Sequence, residues 1–144
     1  MSSSSNGPSA SCPRRIDSGS TFEARAAYSR VVDDGDYIFV SGTTGYDYAS
    51  MTISPDLLDQ TEQCFRNIQA ALAAVESDVS DIVRVAYVLP DRDDFERCWP
   101  VLNRWLGDCR PAATMFEARL LDDAIRIEIE VTARRCRVET NASR

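Results

Sequence analysis

The sequence predicts an α+β domain in which two helices cover one face of a mixed sheet, in the order β-β-α-β-α-β-β. Two long segments repeat apolar residues at three- and four-residue steps, which is the spacing of one helix face. Around them lie short runs rich in β-branched and aromatic residues, bounded by turn signals. The last of these runs alternates strictly, with Ile127, Ile129 and Val131 on one side and Arg126, Glu128, Glu130 and Thr132 on the other.

Residues 1–19 are Ser-rich with almost nothing apolar to bury, so a flexible tail is expected there. A single domain is expected over 20–136, followed by a loose segment over 137–144. The domain opens as a hairpin, strands over 28–32 and 37–42 joined through Asp34-Gly35. An irregular loop over 42–54 carries Gly45, Tyr46 and Tyr48. The first helix is expected to start at an N-cap Ser54 with Pro55 at its first position. Its stripe includes Leu57, Thr61, Phe65, Ile68 and Leu72. A strand over 82–89 ends at Pro90. The second helix begins near Asp94, with Phe95, Cys98, Trp99, Leu102 and Trp105 as its stripe, a kink expected at Pro100 and an end at Gly107. Strands over 112–120 and 125–133 close the domain.

Both parities of two strands are apolar: Ile38 and Val40 against Tyr37 and Phe39, then Val85 and Tyr87 against Ala86 and Val88. A sheet apolar on both faces must be covered on both, and two helices cover only one. A second copy of the chain is the expected cover.

The 144 residues carry a net charge of −7, contain no His, and all 16 basic residues are Arg. Ser-His-Asp and Cys-His catalysis, His-ligated metals and Schiff-base lysines are therefore excluded. Acid–base chemistry near neutral pH falls to a carboxyl group, a Cys, a Tyr or a water. The five cysteines show no C-x-x-C spacing, so no metal site is expected. Their odd number, with no charged-then-apolar leader and no apolar run of bilayer length, points to reduced thiols, a cytoplasmic protein and no membrane. The acidic balance argues against a nucleic-acid partner.

Several short motifs in order resemble the RidA/YjgF (endoribonuclease L-PSP-like) family. They are Tyr28-Ser29, Phe39-Val40-Ser41-Gly42, Gln60-Thr61, Asn67-Ile68, Asp94-Phe95, Arg110-Pro111-Ala112 and Ile127-Glu128-Ile129-Glu130. The resemblance implies a chorismate-mutase-like fold, a homotrimer around a central barrel, and ligand clefts between subunits. It implies hydrolysis of enamines and imines to keto acid and ammonia, with no cofactor. In the deaminases of that family an arginine after Pro-Ala clamps the substrate carboxylate, and a glutamate fifteen residues later helps hold the attacking water. That glutamate is matched by Glu128, whereas the arginine position is Ala113. Trp99 and Leu102 also stand where the family carries an asparagine and a tyrosine.

The candidate site is therefore Glu128 as the catalytic group, with Tyr28, Ser41, Gly42, Ala113, Thr114 and Met115 around the ligand. Glu130 shares the parity of Glu128 and has the weaker claim. Arg30 and Arg110 read as surface or interface arginines that a missing clamp would otherwise recruit. Trp99 and Trp105 read as core, Tyr46 and Tyr48 as cleft wall or subunit contact, and Cys109 as an unreactive loop thiol. Asp91, Asp93 and Asp94 read as capping and solvated charge, without the spacing of a calcium loop. The expected function is binding or hydrolysis of a small metabolite in an intersubunit cleft, by a cofactor-free RidA-like protein of an arginine-less kind. The alternative is a non-catalytic metabolite-binding or protein-interaction module on the same scaffold. A ribonuclease fits least, since His and Lys are absent and the charge opposes the substrate.

Overall fold

A computed structural model of the chain describes residues 12–136. Its strands are β1 (Arg14–Ile16), β2 (Val31–Asp33), β3 (Tyr37–Thr44), β4 (Tyr46–Asp47), β5 (Thr52–Ile53), β6 (Ile82–Leu89), β7 (Ala112–Glu117) and β8 (Glu128–Arg134). Its α-helices are α1 (Thr21–Ala26), α2 (Leu57–Ala73) and α3 (Asp94–Leu106). Six strands form one sheet in the order β1-β2-β3-β8-β6-β7, and β4 and β5 form a separate ribbon. All neighbours in the large sheet are antiparallel except β6 and β7. The mixed α+β architecture expected from the sequence is thus the one observed.

The expected tail needs correction at its inner end. Arg14–Ile16 adds an edge strand to β2, and Arg14 reaches the buried carboxylate of Asp33 at 2.9 Å. Asp33 is also held by Arg135 at 2.6 Å and by the backbone N–H of Gly35. Burial alone would raise the Asp33 pKa; those donors outweigh it and hold the group below the usual carboxylate range. Residues 1–11 and 137–144, the rest of the expected loose segments, lie outside the described residues.

Helix α2 starts two residues later than expected. Asp56 is the N-cap and accepts from the N–H of Asp59, while Ser54 bonds to Asp56 and Asp59 just outside the helix. Helix α3 runs through Pro100 without interruption. Phe65, Ile68 and Leu72 of α2 and Cys98, Val101 and Leu106 of α3 bury against Ile38, Val40, Val85, Ile129 and Val131 on one sheet face. Tyr37 and Phe39 alternate out of that core and stay 40% and 47% exposed, as the doubly apolar pattern requires.

Two polar side chains of α2 fix the strands that carry the site. Buried Gln60 donates to the carbonyls of Ser54 and Ala124 and accepts from the N–H of Arg126, each at 2.8 Å. This anchors the approach to β8. Asn67 donates to the carbonyls of Thr44 and Tyr46, at 3.0 and 2.8 Å, and so ties β3 to β4. No helix among the described residues is long and apolar enough to cross a membrane.

Candidate functional site

The pairing of β3 with β8 slips between Val40 and Thr43. The bulge brings the backbone of Gly42 onto the side chain of Glu128, so close that a Cβ at Gly42 would stand 2.6 Å from Glu128 Oε1. Glu128 is half-buried and accepts no hydrogen bond among the described residues. Burial pushes its pKa up, Glu130 adds to that, and Arg30 opposes it.

Around Glu128 lies a cavity of about 480 Å³. Tyr28, Tyr46, Tyr48 and Phe22 supply aromatic walls, and Leu121 and Asp122 stand at its rim. Tyr46 donates its hydroxyl to Asp122 at 2.7 Å, which raises the Tyr46 pKa; the backbone N–H of Ala124 and then this bond lower that of Asp122. Burial raises the Tyr48 pKa, so that phenol stays protonated at neutral pH.

Arg30 is not the surface or interface arginine that the sequence suggested: it is 3% exposed and lines this cavity. Its Nη1 donates to the carbonyl of Gly42 at 2.8 Å and to Thr43 Oγ1 at 3.0 Å. Its Nη2 pairs with Glu23, 2% exposed, at 3.4 Å. The guanidinium lies 5.1 Å from the ring centre of Tyr48 and 5.7 Å from that of Tyr28. Glu23 in turn accepts from the N–H and hydroxyl of Ser18. A buried guanidinium is tolerated because a carboxylate, carbonyls and two ring faces surround it.

The sequence candidates divide between two places. Tyr28, Gly42 and Glu128 meet in the Glu128 cavity. Ser41 lies beside it, its hydroxyl donated to the carbonyl of Ser29 at 2.6 Å. Ala113 lines a different cavity of about 530 Å³, with Trp99, Asn103 and Arg110. Trp99 is therefore not core; it is 46% exposed at that cavity, whereas Trp105 stacks on Phe65 at 5.6 Å. The hydroxyl of Thr114 accepts from Arg84 at 2.9 Å, and Met115 packs against the core. Burial raises the pKa of Cys109, as of Cys64 beneath the bulge, so neither is poised as a thiolate. Asp94 is held by Arg97 and Arg126 at 2.8 and 3.1 Å. Among the described residues no cluster of His, Cys, Asp or Glu is arranged to hold a metal ion.

Arg30 was missed because its burial rests on Glu23, which lies on the unexpected helix α1. A signal was present: Ser20-Thr21-Phe22-Glu23 has the S-x-x-E spacing of a helix start. Here Ser20 does cap the helix, bonding the N–H of Phe22, but Glu23 reaches past it to Ser18.

Residues 18–135 match the endoribonuclease L-PSP family. The chain belongs to that family, the RidA/YjgF group. A RutC family protein of Pyrococcus horikoshii is 31% identical over 107 residues, 74% of this chain and 85% of the relative. A 2-iminobutanoate/2-iminopropanoate deaminase of Capra hircus is 31% identical over 118 residues, 79% of this chain and 86% of the relative. The crystal structure of a YjgF/YER057c/UK114 family member from Mycobacterium tuberculosis superposes with a TM-score of 0.77 at 30% identity, covering 85% of this chain and 98% of that one. Within the RidA/YjgF group, the Glu128 cavity and the Ala113 cavity are the two places where this chain's candidate residues gather.

Proposed function

We propose that this RidA/YjgF protein binds and hydrolyses a small imine- or amide-like metabolite at Glu128, in a cleft that a neighbouring subunit of a homotrimer completes. The observation that carries this reading is a half-buried carboxyl group at the wall of an aromatic cavity, with no hydrogen-bond partner among the described residues and its pKa pushed up by burial. A carboxyl raised toward neutrality exchanges protons more readily at working pH than an ordinary one. Its role is to orient a water for attack and to take the proton the water loses, while the aromatic walls exclude bulk solvent.

The name of the goat relative points to 2-imino acids, but Ala113 offers such substrates no donor. A bidentate arginine–carboxylate pair contributes about 1.5–3 kcal/mol. Without it, carboxylate-bearing imines bind at least about tenfold more weakly. Separation of Ala113 from Glu128 into two cavities of one protomer supports the need for a second subunit.

The test generates 2-aminoacrylate or 2-iminobutyrate in situ and follows its loss by semicarbazide trapping. Wild-type protein is expected to accelerate the loss little or not at all, and Ala113→Arg to restore only a trace. Full deaminase activity in the wild type would overturn the arginine-less reading. Turnover of neutral imines, amides or carbamates that disappears in Glu128→Gln would support the hydrolytic role.

A further inference from the structure

The charges around the Glu128 cavity do not cancel. Arg30 is the one cation among its lining residues; its Nη1 and Nη2 are committed to the Gly42 carbonyl, Thr43 and the buried carboxylate of Glu23, while its buried Nε has no partner among the described residues. Two acidic groups face the space in addition. Asp122 stands at the rim, bonded to Tyr46, and the Glu128 carboxyl stands on the wall without a hydrogen-bond partner among the described residues. The remaining walls are largely aromatic, from Phe22, Tyr28, Tyr46 and Tyr48. Ring faces carry partial negative charge and attract cations, and Tyr28 and Tyr48 already do so toward Arg30. A carboxylate entering this space would meet two like charges and four electron-rich rings, against a single guanidinium that already pairs with Glu23 and keeps only its Nε without a partner among the described residues.

We propose that the Glu128 cavity selects an organic cation, a protonated amine or iminium on a flat apolar body, and rejects carboxylates. The cationic group sits beside Glu128, and the apolar body lies between the tyrosine rings. This rests on the reading of the cavity as the ligand site, and it names the class of ligand.

Recognition of this kind depends on the ionisation of Glu128. The charged and titratable groups around it are Arg30 before β2, Cys64 on α2, Asp122 at the rim, Glu130 on β8 and the three tyrosines. Tyr46, Tyr48 and Cys64 are shifted upward and stay neutral across the acid-to-neutral range. Asp122 titrates below its usual range. Loss of cation binding on mild acidification is the expected sign of Glu128, the carboxyl shifted upward, taking up its proton.

Three probes of matched shape separate the alternatives: benzylamine, benzyl alcohol and benzoate, titrated into the full-length protein at pH 7 and low salt, with binding read by calorimetry and by the tyrosine resonances. Benzylammonium should bind about tenfold more tightly than benzyl alcohol, and benzoate most weakly. Glu128→Gln should bring benzylammonium down to the level of the alcohol and leave the alcohol within about twofold. If that variant fails to fold, acidification of the wild type should erase the same preference. Benzoate binding as tightly as the amine would overturn the proposal, as would a preference for the amine that Glu128→Gln and acidification both leave intact. Binding of the alcohol without preference for the amine would overturn only the choice of a cation. Silence toward all three probes would overturn the cavity as a ligand site and this proposal with it.

Discussion

Gly42 and Gly45, three residues apart, make opposite predictions. At Gly42 an added methyl meets the tip of the Glu128 side chain, which can rotate away. Gly42→Ala should keep its melting temperature within the shift of about 1 kcal/mol and yet displace the carboxylate from its place. Ligand binding or turnover should fall while thermal denaturation barely changes. At Gly45 an added methyl would lie 2.6 Å from the Cα of Gln60 and 2.8 Å from its carbonyl oxygen. The α2 backbone cannot yield without disturbing the Gln60 bonds to Ser54, Ala124 and Arg126. Gly45→Ala should therefore cost roughly 2 kcal/mol or more, read as a lowered urea midpoint. Glu128 itself has a stability signature. Burial raises its pKa in the folded state, so the folded protein holds that proton more tightly than the unfolded chain. The associated stability is fully present below the ordinary glutamate value and is lost as pH rises through the folded value. Glu128→Gln should flatten that decline in a series of melts from pH 4 to 8; a wild-type curve identical to that of the variant would contradict the raised pKa.

At the scale of elements, the N-terminal strand is the sharpest test. Removing residues 1–19 deletes β1, the Arg14–Asp33 ion pair, the packing of Ile16 on the core and the Ser18 donors to Glu23. The truncated protein should melt several degrees lower, the loss of about 2 kcal/mol in a domain of this size. An unchanged melting temperature would mean that β1 contributes nothing to the fold. The sequence carries no warning of this strand, because three residues, two of them arginines, have no periodicity to read. The same limit hid α1, whose six residues span less than two turns. By contrast α2, α3, β6 and the alternation around β8 are legible, since each is long enough for its apolar period to repeat against one sheet face. For the candidate site, the residues of β3 and β8 were legible through their motifs. Arg30 was not, because nothing local says that a guanidinium will be buried; that depends on Glu23, two tyrosine rings and the Gly42 carbonyl converging from separate segments.

Among the described residues, one sheet face has no cover. In β3, Ile38 and Val40 point into the helices, so Tyr37 and Phe39 share the opposite face. On β7, Met115 packs toward the core beside Tyr87, which places Phe116, paired with Val88, on that same opposite face at 55% exposed. Burying such rings against another copy removes apolar area worth about 25 cal/mol per Å², which favours association where the surfaces fit. Among the described residues strand β7 also ends the sheet with an unpaired edge, which a second copy would protect. The proposed homotrimer sets the expected number. Light scattering at micromolar concentration should give three times the 16.0 kDa chain mass. Phe39→Glu, which places a charge in the middle of that face, should shift the assembly toward monomer while leaving far-UV circular dichroism unchanged, because Phe39 does not contribute to the helix-covered core. If the cleft is completed by a neighbour, the monomeric variant should also lose ligand binding although Glu128, Arg30 and the tyrosines are intact. A wild-type monomer that binds ligand would detach the site from assembly and leave the Glu128 cavity sufficient by itself.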